Sequence, residues 1–228
     1  MGDSSKFDIP ETCREFGENC FEIRLQVAKN FVQEFTKHVA PEKGLDNSNE
    51  AWTRSVRKRF IEVCPDKCYA IPSDFLTAKG EYLVDYAWEE MESGKRVLMA
   101  AESEWGADRY GRSHWNLVEQ DFEKLLPIKA PFKVLIFSSD QGLAVSQSTY
   151  AGNFAIGFAK TRLRDSLKNY GHHLPGEVYI FIDFPRTGRA ESNGVYQSFI
   201  WIATGHRMAD PVFQDGGCGP LTRPSDSK

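Results

Sequence analysis

Three carboxylates stand where apolar residues would be expected: Asp85 inside YLVDYAW, and Glu102 and Glu104 inside VLMAAESEW. A carboxylate in an apolar strand is costly unless it is paired or bound to a cation. Side chains alternate along a strand, so Glu102 and Glu104 share a face, read here as that of Leu98 and Ala100, and Asp85 shares one with Leu83 and Ala87. If a hairpin brings these faces together, three like charges converge and raise one another's pKa. A hard divalent cation, Mg2+ or Mn2+, takes oxygen ligands and relieves that repulsion. Spacing alone leaves a second reading open, in which Glu102 and Glu104 face water and Met99 and Ala101 face the core. Charge is concentrated here. Residues 81–104 hold seven acids against two bases, while the whole chain carries a net charge of −4, so the remainder is close to neutral. A patch of this kind either lies in water or gathers cations, and within it Glu81, Glu89, Glu90 and Glu92 read as turn or surface acids.

Basic residues elsewhere suit a polyanion. Lys160, Arg164 and Lys168 recur at i, i+4, opposite an apolar helical face. Arg54, Arg57, Lys58 and Arg59 lie on another helical segment, and Arg186 and Arg189 lie in a loop. Contacts of this type position a nucleic-acid backbone without reading its sequence. Asp108, Arg109, Arg112 and His114 follow shortly after Glu104. His172 and His173 follow a helix end and read as capping residues. Trp105 reads as a core or rim aromatic.

The elements that must position these groups follow from periodicity. Phe21, Leu25, Ala28, Val32, Phe35 and Val39 form one helical face, with Asn19 as a candidate N-cap and Pro41 as the stop. Trp52, Val56, Phe60 and Val63 form a second helix ending near Pro65. Strands are expected at 68–75, 82–89 and 96–105, the last two joined through Ser93 and Gly94 as a hairpin. A helix follows over 113–126 with Trp115, Val118, Phe122 and Leu125 inward. A strand apolar on both faces comes next, 133–137. A long helix over 153–170 and strands at 178–184 and 195–203 complete the order. The fold class is α/β, a mixed central sheet flanked by helices. Residues 1–18 read as a loose leader, 19–208 as a single α/β domain with its core at 50–138, and 209–228 as a flexible Gly- and Pro-rich tail.

With these elements in order, the strand pair resembles the core of the PD-(D/E)XK, or restriction-endonuclease-like, superfamily. Asp85 matches its first acid and Glu102-Ser103-Glu104 its Glu-x-Lys element, within an αβββαβ core that a C-terminal helix and β-hairpin extend. Val84 stands where Pro is usual, and Glu104 where Lys is usual. The resemblance implies a metal-dependent nuclease that hydrolyses phosphodiester bonds, DNA being the expected substrate. Mg2+ or Mn2+ would be held by Asp85, Glu102 and Glu104. With no lysine at 104, Lys124 on the next helix or Lys133 on the next strand is a candidate to assist the nucleophile. Lys160, Arg164, Lys168, Arg186 and Arg189 would hold the nucleic acid, and a homodimer would suit a double-strand cutter. The alternative is a non-catalytic interaction or regulatory module that keeps the fold.

Composition bounds the remainder. No apolar run approaches the ~20 residues of a membrane helix. MGDSSKFDIPETC lacks the apolar core of a signal peptide, so a cytoplasmic protein with no membrane partner is expected. Five cysteines without such a peptide read as free thiols. CPDKC lacks the tighter CxxC spacing usual for zinc. A glycosidase-type carboxylate pair is disfavoured, since acids at i, i+2 on one strand are an unusual way to flank a sugar.

Overall fold

A computed structural model describes residues 7–17, 20–39, 48–72, 84–92, 96–105, 114–138, 151–184, 195–205 and 213–220. Among them are four α-helices: α1 (Phe21–Thr36), α2 (Asn49–Glu62), α3 (His114–Leu125) and α4 (Ala151–Asn169). The strands are β1 (Cys68–Pro72), β2 (Tyr86–Glu90), β3 (Val97–Glu104), β4 (Phe132–Phe137), β5 (Val178–Asp183), β6 (Val195–Ile202) and β7 (Gln214–Pro220). They form one mixed seven-stranded sheet in sequential order. The pairs β3/β4 and β4/β5 are parallel, and the other four pairs are antiparallel. The expected α/β class with a mixed, helix-flanked sheet is what the chain adopts. No helix among the described residues is long and apolar enough to cross a membrane.

Period-2 alternation sorts the sheet into two cores. Met99, Ala101, Val134, Ile136, Ile180 and Ile182 pack with α1 and α2. Ala100, Leu135, Phe137, Tyr179 and Phe181 pack with α3 and α4. The central strands β4 and β5 are buried throughout, as strands covered by helices on both faces must be. Ser48 begins α2 by accepting from Ala51 N–H at 3.2 Å, which satisfies one of the helix's free donors. Asn19, Pro41, Ser93 and Gly94, expected at helix ends and turns, lie outside the described residues.

Four expectations are corrected. Residues 7–17 are not loose: Phe7, Ile9 and Cys13 are buried in the α1/α2 core, and the buried Arg14 guanidinium meets Glu90 at 2.9 Å. Arg24 ties the same segment down by donating to the carbonyls of Glu15 and Gly176. Gly176 has φ +83, and a Cβ there would strike Arg24 and the Gly17 carbonyl, so only glycine fits. Glu90, set aside from spacing as a surface or turn acid, is buried between Arg14 and Arg96. The tail was expected to be flexible from residue 209, yet Gln214–Pro220 pairs antiparallel with β6. Finally, the β2/β3 register shifts between Trp88 and Glu89. That bulge inserts an extra residue, so Leu98 packs with Met99 on the α1/α2 side and not beside Ala100.

Candidate active site

The acids gather where β3 runs out toward its C-terminal end. Tyr86 pairs with Ala101 and Ala87 with Ala100, so the antiparallel register sets Asp85 opposite Glu102. Asp85 stands just before β2 rather than within it. Glu102 pairs with Leu135 and Glu104 with Phe137, both of which face α3 and α4. Glu102 and Glu104 therefore lie on the face that carries the helices, Glu102 buried and Glu104 partly exposed. The alternative with these acids on a solvated face fails for Glu102, which is 1% exposed.

Asp85 is held by Ser103. Its Oδ2 accepts from the Ser103 backbone N–H at 2.9 Å and from the Ser103 hydroxyl at 3.1 Å. The Ser103 hydroxyl also lies 3.4 Å from the Tyr86 hydroxyl, which in turn donates to the Thr53 carbonyl at 3.5 Å. The residue between the two glutamates thus orients the acid across the hairpin.

Glu102 is the most perturbed group of the cluster. Burial, then the charges of Asp85 and Asp121, push its carboxyl from an ordinary 4.5 up to about 10, with only Lys124 pulling the other way. Its buried Oε1 accepts no hydrogen bond. Lys124 Nζ is 3.6 Å from it, an ion-pair distance too long for a hydrogen bond. The same ammonium lies 2.6 Å from Asp121 Oδ1, one helical turn earlier on α3. Burial opposes the charge on Lys124. The hydrogen bond to Asp121 and the surrounding carboxylates outweigh it, and the Lys124 pKa rises. Burial raises Asp121, against the pull of Lys124 and of a hydrogen bond with Glu104. Asp121 was not singled out from sequence. Its signal was available: an acid three residues before a lysine, flanking the inward stripe Val118, Phe122 and Leu125.

Lys133, the second candidate lysine, is committed elsewhere. It lies two residues before Leu135 on β4, and its ammonium contacts the Leu126 carbonyl at 2.8 Å, Glu177 Oε1 at 3.0 Å and the Tyr179 hydroxyl at 3.1 Å. Tyr179 donates to Glu177 Oε2 at 2.8 Å, and His173 Nε2 meets the Leu167 carbonyl near the end of α4 at 2.8 Å. This is a closed structural network. Trp105 is a core aromatic on the opposite face, packed on Trp52 and Phe184. Lys160 is exposed on α4 and lies over the Phe199 ring at 5.2 Å; Arg164 is half-buried and Lys168 exposed. On α2, Arg54 pairs with Glu50, Lys58 and Arg59 with Glu62, and Arg59 also reaches the Glu34 carbonyl. Arg186, Arg189, Asp108, Arg109 and Arg112 lie outside the described residues, as does the side chain of His114.

The donor set suits a hard cation: carboxylate oxygens only, one of them buried without a hydrogen bond. Among the described residues no three His, Cys, Asp or Glu side chains are already arranged so that they could hold a metal ion. Ser103 holds Asp85 through Oδ2, and Lys124 holds Asp121 through Oδ1. The cysteines are free thiols; burial pushes Cys64 up to about 12 and Cys68 up to about 11. No family model, curated protein or solved structure matches this chain.

Proposed function

We propose that this chain is a metal-dependent nuclease that hydrolyses phosphodiester bonds, with DNA as the expected substrate, on a restriction-endonuclease-like core in the cytoplasm. The observation that carries this reading is Glu102: a buried carboxyl with an unbonded oxygen, opposite Asp85 and beside Lys124. A carboxyl pushed this far from its ordinary range by burial and neighbouring acids marks a candidate working site. Asp85, Glu102 and Glu104 would hold Mg2+ or Mn2+. When bound, the ion supplies an activated water and charge stabilisation at the phosphate. Ser103 fixes Asp85. Lys124 stands within ion-pair distance of Glu102, where an ammonium can orient a water or stabilise developing negative charge. Lys160, Arg164 and Lys168 would hold the sugar-phosphate backbone, with Arg186 and Arg189. Two copies would be needed for coordinated cutting of both strands.

Incubating the full chain with supercoiled plasmid and with single-stranded DNA under Mg2+ or Mn2+ tests this directly. Nicking is expected in wild type and lost in Glu102→Gln. A thermal titration with Mn2+ should show saturable stabilisation in wild type that the variant lacks.

One observation favours a second reading. The cluster is already partly neutralised from within, by Lys124 on Asp121 and Glu102 and by Ser103 on Asp85. A non-catalytic interaction module could keep the fold and this internal pairing. Absence of both Mn2+ stabilisation and cleavage would select it.

A further inference from the structure

The ammonium of Lys124 is held asymmetrically. It makes a charge-assisted hydrogen bond of 2.6 Å to Asp121 and reaches Glu102 only at 3.6 Å. Asp121 and Lys124 are one turn apart on α3, a helix fixed to the sheet by Val118, Phe122 and Leu125. The Lys124 side chain is 45% exposed and that of Asp121 only 15%. A half-exposed lysine on a flexible four-carbon stem loses much rotamer freedom when held in one place. Only a buried, rigidly mounted partner keeps it over the acids, and Asp121 is that partner.

We propose that Asp121 is a positioning residue, which anchors the Lys124 ammonium beside the unbonded Oε1 of Glu102. Helix α3 thereby supplies the cation that β3, ending in Glu104, does not carry. The inference rests on the nuclease reading of the same site. Asp121 also meets the Glu104 side chain, but the role assigned to it runs through Lys124. The rival role is that of a further ligand for the divalent cation, and the two roles predict different outcomes.

The test uses the full chain with Asp121→Asn and Asp121→Glu. Asparagine keeps the shape and removes the charge; glutamate keeps the charge and still reaches one turn along the helix. Three readouts are needed: plasmid nicking, the Mn2+ affinity from thermal titration, and modification of Lys124 by acetic anhydride at fixed pH, scored by mass spectrometry against Lys168. If Asp121 positions Lys124, Asp121→Asn slows nicking about a hundredfold, as misplacing a reacting group by an ångström can. Its Mn2+ affinity stays within about threefold of wild type, because no ligand is lost. Acetylation of Lys124 relative to Lys168 rises about threefold or more once the ammonium loses its charged partner. Asp121→Glu recovers most of the rate and the protection. A loss of Mn2+ affinity of about tenfold or more in Asp121→Asn would make Asp121 a ligand and overturn the proposal. So would unchanged nicking or unchanged acetylation in Asp121→Asn, or a failure of Asp121→Glu to recover either. A wild type that neither binds Mn2+ nor cuts DNA overturns the nuclease reading and this role with it. A wild type that cuts no faster than Asp121→Asn overturns this role alone.

Discussion

Two buried polar clusters lie on the same face of the sheet, both under α3 and α4, and they reach opposite electrostatic ends. Around Lys133, every polar atom has a partner: the ammonium makes three contacts, Glu177 receives Lys133 and Tyr179 on its two oxygens, and both ring nitrogens of His173 are met. Burial alone would raise Glu177, yet those partners outweigh it and its pKa is lowered. Around Glu102 the same burial wins, because Lys124 stands too far off to donate to Oε1 and the nearest other groups are acids. The ingredients are alike: a buried glutamate, a lysine and a tyrosine nearby. What separates a structural network from a candidate site is whether the hydrogen bonds close.

The contrast is broken most severely by removing one partner of the closed network. Lys133→Met leaves Glu177 charged and buried with less to stabilise it, and should cost about 3–5 kcal/mol. Urea unfolding at pH 7 measures it. The double variant Lys133→Met/Glu177→Gln should recover much of that loss, because no buried charge is then left unpaired. A single-variant cost below about 1 kcal/mol would mean the network is not as dry as its geometry implies.

The opposite sign is expected at the open cluster. The folded state keeps Glu102 protonated up to about 10, whereas the unfolded chain loses that proton near 4.5. The folded state therefore binds the extra proton between those values, and stability falls as pH rises through them. Glu102→Gln mimics the protonated acid and does not carry that penalty. It should be about 1–3 kcal/mol more stable than wild type at pH 8, and indistinguishable from it below about pH 4.5. Unfolding curves at the two pH values decide this, and no cleavage assay is involved. A destabilised Glu102→Gln at pH 8 would mean that Lys124 neutralises Glu102 more fully than the 3.6 Å separation suggests.

The closed network supplies the mirror-image pH dependence. Glu177 has a folded pKa below its ordinary value, so its contribution is present at neutral pH and is lost as pH falls below 4.5 toward the depressed value. Glu177→Gln should flatten the acid limb of the stability profile, where Glu102→Gln flattens the neutral-to-alkaline limb. If both variants change the same limb, the two clusters do not differ in the way their geometries imply.

The two regions were not equally legible in the sequence. Strong periodicity found α1 to α4 and the strands β1 to β6, because each has one or two apolar faces to bury. It missed β7, whose QDGGCGP has almost no side chains with strand preference and is held by backbone pairing to β6. It also missed the packed segment 7–17, where Phe7, Ile9 and Cys13 follow no regular period. The acids at 85, 102 and 104 were visible because they interrupt hydrophobic runs, and alternation put Glu102 and Glu104 on one face. Which lysine accompanies them was not visible, since Lys124 and Lys133 look equivalent in one dimension. Only the parallel pairing of β3 with β4, and the seat of α3 across it, sends one to Glu102 and the other to Glu177.

The smallest expected effect sharpens the contrast most finely. Ser103 gives Asp85 two hydrogen bonds, one from the backbone and one from the hydroxyl. Ser103→Ala removes only the second, so the fold should lose about 1 kcal/mol. The cost to the site should be larger in proportion. An Asp85 held by one bond can swing about it, and Mn2+ stabilisation of the variant should weaken by about three- to tenfold in affinity. Ser198 is a control, since its hydroxyl donates to the Gly217 carbonyl at 2.7 Å across the β6/β7 edge, away from the acids. Ser198→Ala should cost a similar amount of stability and leave the Mn2+ response unchanged. Equal loss of Mn2+ response in both would assign the effect to general softening of the sheet. A selective loss in Ser103→Ala would show that the residue between the two glutamates orients the first acid of the site.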